Sequence, residues 1–200
     1  MSRVKVISTI DAHTAGGPTR VIIDGTPVLS GETVAEKMSD FRTNHDSVRK
    51  LLMREPRGHK GMYGAVITEA TGPEADIGAF FFTSSGYLPA CVHSSMGVTR
   101  VAVETGMISR RIGRPIRMEI PTGVISLRPT YTEGELRSVA IQTPPAFVHT
   151  HVVDLDLGAR GSIRASIVFC GSSLTWSTST RSASSRRTAA RTLVQRTFKI

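Results

Sequence analysis

The stretch from Val92 to Gly106, VHSSMGVTRVAVETG, constrains the fold more than any other. Met96, Val98, Val101, Ala102 and the following Met107 are spaced as in a buried helix, which the rest of the chain has to enclose. Gly106 closes that helix as a residue free to take left-handed backbone. Upstream, GYLPA is a Pro-interrupted run that gives way to the helical pattern at Cys91, so a thiol stands at the expected helix N-terminus with His93 two residues on.

Short apolar runs on either side supply the strands. VKVISTI reads as a first strand, with Val4, Val6 and Ile10 as its apolar residues, and TRVIIDGTPV as two strands around an Asp24-Gly25 hairpin turn. GAVITEA and the aromatic DIGAFFFTSSGYL read as strands. The segment from Ile116 to Val148 gives further strands, turning at Pro121-Thr122-Gly123 and at Glu133-Gly134. A second helical stretch, from Ser30 as N-cap to about Leu52, carries Val34, Met38, Phe41, Val48, Leu51 and Leu52 at helical spacing. The class is mixed α+β with mostly antiparallel strands.

At 200 residues and 40% apolar content, a sizeable core is available. No apolar run approaches the roughly 20 residues of a membrane-spanning helix. The N-terminus has no signal-peptide pattern, so the expected location is cytoplasmic and both cysteines are expected as thiols. The net charge of +9 does not point to nucleic acid. Six of those charges (Arg181, Arg186, Arg187, Arg191, Arg196 and Lys199) sit in residues 171–200, which contain no acid. There, with seven Ser and six Thr, apolar periodicity vanishes. Two readings stand for this tail. One is a disordered Ser/Arg segment. The other is out-of-frame translation, because permitted codons from Trp176 onward, read one base out of register, encode Met-Val-Asp-Ile-Asp-Ala-Leu-Gly-Val-Glu.

Three segments carry candidate chemistry. At a helix N-terminus the free amides and the dipole favour an anion, which lowers a thiol's pKa from about 8.5. Cys91 is therefore expected as a nucleophile or as a base that removes and returns a proton, against the alternative of an inert buried thiol. DAHTAGGPTRVI offers Asp11, His13, Thr14, Gly16, Gly17 and Arg20 as a ligand loop or a plain strand turn. LLMREPRGHKGMYGAV clusters Arg54, Glu55, Arg57, His59 and Lys60, either as a solvated charge run or as a constrained loop aiming His59. These histidines and Cys91 lack the spacing of a zinc signature, and no metal is expected.

Taken in order, HTAGGPTRVI, LLMREPRGHKGMYGAV, FFFTSSGYLPACVHSSMG and, more weakly, QTPPAFV resemble the proline racemase superfamily over roughly residues 5 to 150. That superfamily includes proline racemases, 4-hydroxyproline 2-epimerases and trans-3-hydroxyproline dehydratases. The resemblance implies a diaminopimelate-epimerase-like fold of two similar α/β halves, each with strands wrapped about a central helix. In this chain that means an N-terminal catalytic lobe (1–118), an incomplete second lobe (119–170) and the tail (171–200). It implies proton transfer at the α-carbon of proline or 4-hydroxyproline without pyridoxal phosphate or metal, one base on each face. Cys91 matches one base. His93, Ser94 and Ser95 match its neighbours around the substrate, and His59 matches the histidine of an Arg-Gly-His stretch. A small-molecule substrate and a homodimer are expected; nucleic acid and membrane are not.

The sequence also departs from the family pattern. Ala90-Cys91-Val92-His93 stands where the family usually has Met-Cys-Gly-His, and Gly17 stands where it tends to have Glu. The second catalytic motif, a Pro-Cys-Gly-Thr-Gly-like stretch, is not found. Cys170-Gly171-Ser172 imitates it, but fits a Phe-Gly-Gly turn better, so Cys170 is not taken as the second base. The expected outcome is negligible racemisation by the 200-residue polypeptide. A dehydratase of the same superfamily, a nucleic-acid-binding protein using the tail, a Cys91–Cys170 redox pair and a poorly folded structural remnant are the alternatives.

Overall fold

The computed structural model describes residues 6–110, 112–143, 145–156, 158 and 161–169, together with the backbone of 173–177 and 197–199. Two compact units emerge: Met1–Thr143 with Gln195–Ile200, and Pro144–Val194.

The larger unit is one mixed sheet with helices against it. In chain order its elements are β1 (Ser8–Thr14), β2 (Gly17–Asp24), α1 (Val34–Asn44), α2 (Asp46–Met53), β3 (Tyr63–Thr68), β4 (Ile77–Thr83), β5 (Tyr87–Leu88), α3 (Val92–Glu104), β6 (Ile116–Ile120), β7 (Gly123–Thr132) and β8 (Glu135–Gln142). Among the described residues the strand order is β1-β2-β3-β4-β6-β7-β8, with β5 on β4 and the backbone of Thr197–Lys199 against β8. Pairing is antiparallel except for β2–β3 and β4–β6. β6 spans position 118 and pairs with both β4 and β7.

β4 shows why the sheet has two covered faces. Phe80 and Phe82 point one way, onto Phe41 of α1, and Phe81 points the other way, into the cluster around Met96 and Val98 of α3. All three phenylalanines are fully buried, as period-two alternation requires of a central strand. α3 touches β1, β2, β3, β4 and, from the far part of the sheet, β8. The sheet therefore curls around α3, the enclosure that its apolar sequence demanded. Thr105 ends the helix and Gly106 follows at φ +77, as expected.

Three local expectations needed correction. The first hairpin turns at Ala15-Gly16, with φ of +49 and +88, and not at Asp24-Gly25. Two consecutive positive φ values suit the tight turn that matches strand twist. Gly25 instead bends the chain against Val6, whose carbonyl a Cβ at position 25 would strike. Val6 lies before β1 and is exposed. The expected single helix from Ser30 is two helices. α1 is capped by Thr33, whose hydroxyl accepts from the Glu36 amide while the Glu36 carboxylate accepts from the Thr33 amide, and the chain breaks at His45 before α2. Thr33→Ala is expected to cost about 1 kcal/mol of stability in urea unfolding followed by circular dichroism.

The smaller unit is a three-stranded antiparallel sheet, β9 (Phe147–Asp156), β10 (Ser162–Phe169) and β11 (Ser173–Ser177), with β10 central. The Phe147 and Phe169 rings pack at 5.4 Å. Cys170 and most of 171–200 lie outside the described residues, and the readings made for them lie there too. No described helix is long and apolar enough to cross a membrane.

Candidate active site

Cys91 is the N-cap of α3, in extended conformation (φ −151, ψ 109). Its helix-opening position leaves the first-turn amides, those of Val92, His93 and Ser94, without acceptors inside the helix. Their partial positive charge faces the end where the sulfur lies. The partly buried thiol donates to Ser94 Oγ at 3.2 Å, and His93 Nδ1 is 3.5 Å from Sγ. Ser94 Oγ also lies 3.4 Å from His93 Nε2 and accepts from the Thr19 hydroxyl at 3.1 Å. Ser95 is turned away. Both its amide (3.0 Å) and its hydroxyl (2.7 Å) donate to the Cys91 carbonyl, so its N–H is spent holding the first helical turn.

β2 and β3 hold the imidazole. The Tyr63 ring meets His93 edge-on at 4.4 Å, and the Thr14 hydroxyl donates to the His93 carbonyl at 2.9 Å. A Cβ at Gly17 would come within 3.2 Å of His93 Cδ2, a tight contact that a small shift of the ring would have to relieve. Thr14 was among the candidates of the DAHTAGGPTRVI stretch, whereas Thr19 and Tyr63 were not singled out in the sequence. Thr19 alone left a trace there, on the same face of β2 as the apolar Val21.

Ionisation runs against one expectation. A helix N-terminus was expected to lower the thiol's pKa. Instead, burial pushes Cys91 up, and the Ser94 hydroxyl and amide offset only part of that. Burial likewise holds His93 below the usual imidazole range, with the Pro18 carbonyl pulling the other way. Desolvation disfavours both charged forms. The resting pair at neutral pH is thus thiol and neutral imidazole, with the sulfur carrying a proton to give.

The remaining candidates divide. Asp11 and Arg20 face each other across β1 and β2 and form a forked ion pair at 2.7–2.8 Å. Arg20 then reaches over to the Leu52 and Arg57 carbonyls and pins the 54–61 loop. Gly58 fits there because any Cβ would strike the end of α2. His59 on this loop is exposed, and its Nδ1 accepts from the Gly61 amide at 3.1 Å. No contact between His59 and the Cys91 cluster is seen among the described residues, and His13 is exposed on β1. No described group of three or more His, Cys, Asp or Glu could hold a metal. A groove of about 340 Å³ between β1 and the C-terminal half of α3, lined by His13, Arg100 and Glu104, lies away from the thiol.

Similarity to known proteins follows this geometry. The sequence model of the family described as proline racemase matches residues 9–200. A proline racemase of Acetoanaerobium sticklandii is 40% identical over 156 residues, 76% of this chain and 46% of its own length. A 4-hydroxyproline 2-epimerase of Streptosporangium roseum is 41% identical over 150 residues, 74% of this chain and 44% of its own. A trans-L-3-hydroxyproline dehydratase of Xenopus tropicalis is 35% identical over 168 residues, 83% and 48%. The chain spans about half the length of the curated relatives it matches. Among solved structures, a probable proline racemase of Agrobacterium radiobacter K84 with bound carbonate superposes with a TM-score of 0.75 at 26% identity, over 82% of this chain and 49% of that one. A hydroxyproline epimerase of Agrobacterium vitis with bound trans-4-hydroxy-L-proline gives 0.73 at 24%, over 84% and 50%, and so shares the fold. An enclosed helix opening on a thiol, a histidine leaning on it from two residues on, and a match that runs over nearly the whole sequence agree: the chain belongs to the proline racemase family.

Proposed function

We propose that this chain supplies one catalytic face of a cofactor-independent racemase or epimerase acting on proline or 4-hydroxyproline, with Cys91 as the acid–base group. The observation that carries the proposal is the position of Sγ at the start of α3, beside the first-turn amides and in contact with Ser94 and His93. A substrate carboxylate would be held by the amides of Val92 and His93, with the Ser94 amide directed at the sulfur, which brings its α-carbon to Cys91. The thiolate takes the α-proton, and the thiol so formed returns it to the planar carbanion. Ser95 serves this site through the Cys91 carbonyl it holds. His59 is proposed at the substrate side, supported by its exposure on a loop that Arg20 pins.

Protection of the thiol tests this reading. Iodoacetamide modification of Cys91, followed by peptide mass spectrometry so that Cys170 is counted separately, is expected to slow about threefold or more once L-proline exceeds its dissociation constant a few times over. Cys170 should be unaffected. Equal Cys91 rates with and without L-proline or trans-4-hydroxy-L-proline would overturn it.

A further inference from the structure

We infer that Thr19 is a positioning residue for Cys91, acting through Ser94: its hydroxyl anchors Ser94 Oγ as an acceptor of the thiol proton and keeps it in reach so that Ser94's single proton can turn to the sulfur once that ionises. The inference rests on the proposed role of Cys91. Thr19, on β2, and Ser94, on α3, are 1% and 0% exposed, and the Thr19 Oγ1–H donates to Ser94 Oγ at 3.1 Å across a separation of 75 residues. Ser94 Oγ in turn accepts from the Cys91 thiol at 3.2 Å. A hydroxyl has one proton and two acceptor sites. With Thr19 and the thiol both donating to it, the Ser94 proton faces His93 Nε2 at 3.4 Å. When Cys91 loses its proton, one acceptor site empties. The Ser94 O–H can then swing to the thiolate while Thr19 holds the oxygen in place and polarises it. Ser94 switches from acceptor to donor with the sulfur's charge, and Thr19 keeps it at the right distance for both. A hydrophobic residue at 19 would pack equally well but leave the oxygen free to turn.

The groups around this relay are few. His93 shares the helix and Tyr63 of β3 leans on its ring. On β1, Asp11 is paired to Arg20 of β2 and His13 is exposed; on β8, Glu135 pairs with Arg137; and β4 carries no charge. Beside the direct contact of His93 with the sulfur, Ser94 is thus the route by which Thr19 reaches it.

The test is the pH–rate profile of Cys91 alkylation in Thr19→Val and Thr19→Ser, with thermal unfolding measured alongside. Thr19→Val is expected to slow alkylation below the midpoint about three- to fivefold and to move the midpoint to higher pH, as loss of about one hydrogen bond to the ionised form requires. Thr19→Ser should restore the parent profile. In a Ser94→Ala background, Thr19→Val should add no further shift, which also covers the case in which the single variant folds poorly. A lowered unfolding temperature with an unmoved midpoint, or a further shift in the Ser94→Ala background, would overturn the inference. Either result leaves the proline-protection experiment, and the reading it tests, untouched.

Discussion

Arg49→Met is expected to lower the unfolding free energy by about 3–5 kcal/mol, because it breaks a buried ion pair on one side only. The Arg49 side chain is 6% exposed, and every nitrogen of its guanidinium is engaged. Nε and Nη2 fork onto the Asp46 carboxylate at 2.6 and 3.1 Å, and Nη1 donates to the Thr83 and Ser84 carbonyls at 2.9 Å each. The plane lies 5.4 Å over the Tyr87 ring, whose hydroxyl donates to the same carboxylate at 2.8 Å. This one side chain ties α2 to the end of β4 and the strand that leads to Cys91. Methionine fills the volume but takes the guanidinium donor from two carbonyls and leaves the carboxylate with weaker partners. The double variant Arg49→Met/Asp46→Asn should recover part of the loss, and Arg49→Lys, which cannot fork, should fall between. A single variant within about 0.5 kcal/mol of the parent in urea unfolding would show that the pair behaves like a surface one.

The same pair sets an acid limit. Hydrogen bonds from Arg49 above all, then from Lys50 and Tyr87, hold the Asp46 carboxyl well below the usual carboxylate range despite its burial. A group depressed on folding stabilises fully above its unfolded pKa, about 3.9, and loses that contribution as pH falls toward the folded value. The parent should therefore lose stability on acidification below about pH 4, and Arg49→Met should lose less over that interval.

Legibility followed the range of the interactions. α3, its Gly106 stop, the aromatic strand through Phe80, Phe81 and Phe82, and the turns after Ile120 and Thr132 all depend on local spacing, and each was readable. The break at His45 was not readable, because helical periodicity runs straight through it and the capping box at Thr33 competes with an equally plausible Ser30. The first hairpin was misplaced because Asp-Gly is the stronger turn dipeptide, while Ala15 takes positive φ only because β1 and β2 are already in register. At the site, the N-cap position of Cys91 followed from pattern, whereas its ionisation did not. That depends on burial by segments distant in sequence, and Thr19 reaches Ser94 only through the fold. The stretch holding Asp11 and Arg20 was open between a ligand loop and a strand turn, and the hairpin shows the turn, with the pair bracing the 54–61 loop.

Solvent deuterium incorporation at Cα is the most direct measure of whether the sulfur moves a proton, since exchange needs only one base, whatever lies on the other face of the substrate. A thiolate takes the α-proton, the resulting S–H trades with D2O, and deuterium returns to the carbanion on the side it left. Because burial pushes the Cys91 thiol up, the exchange rate should climb with pH into the alkaline range as the thiolate fraction grows. With L-proline or trans-4-hydroxy-L-proline in D2O, followed by proton NMR, the parent chain should lose its Cα–H signal, and Cys91→Ala should slow that loss by about 10²-fold or more. Exchange at the same rate in parent and Cys91→Ala would contradict the account.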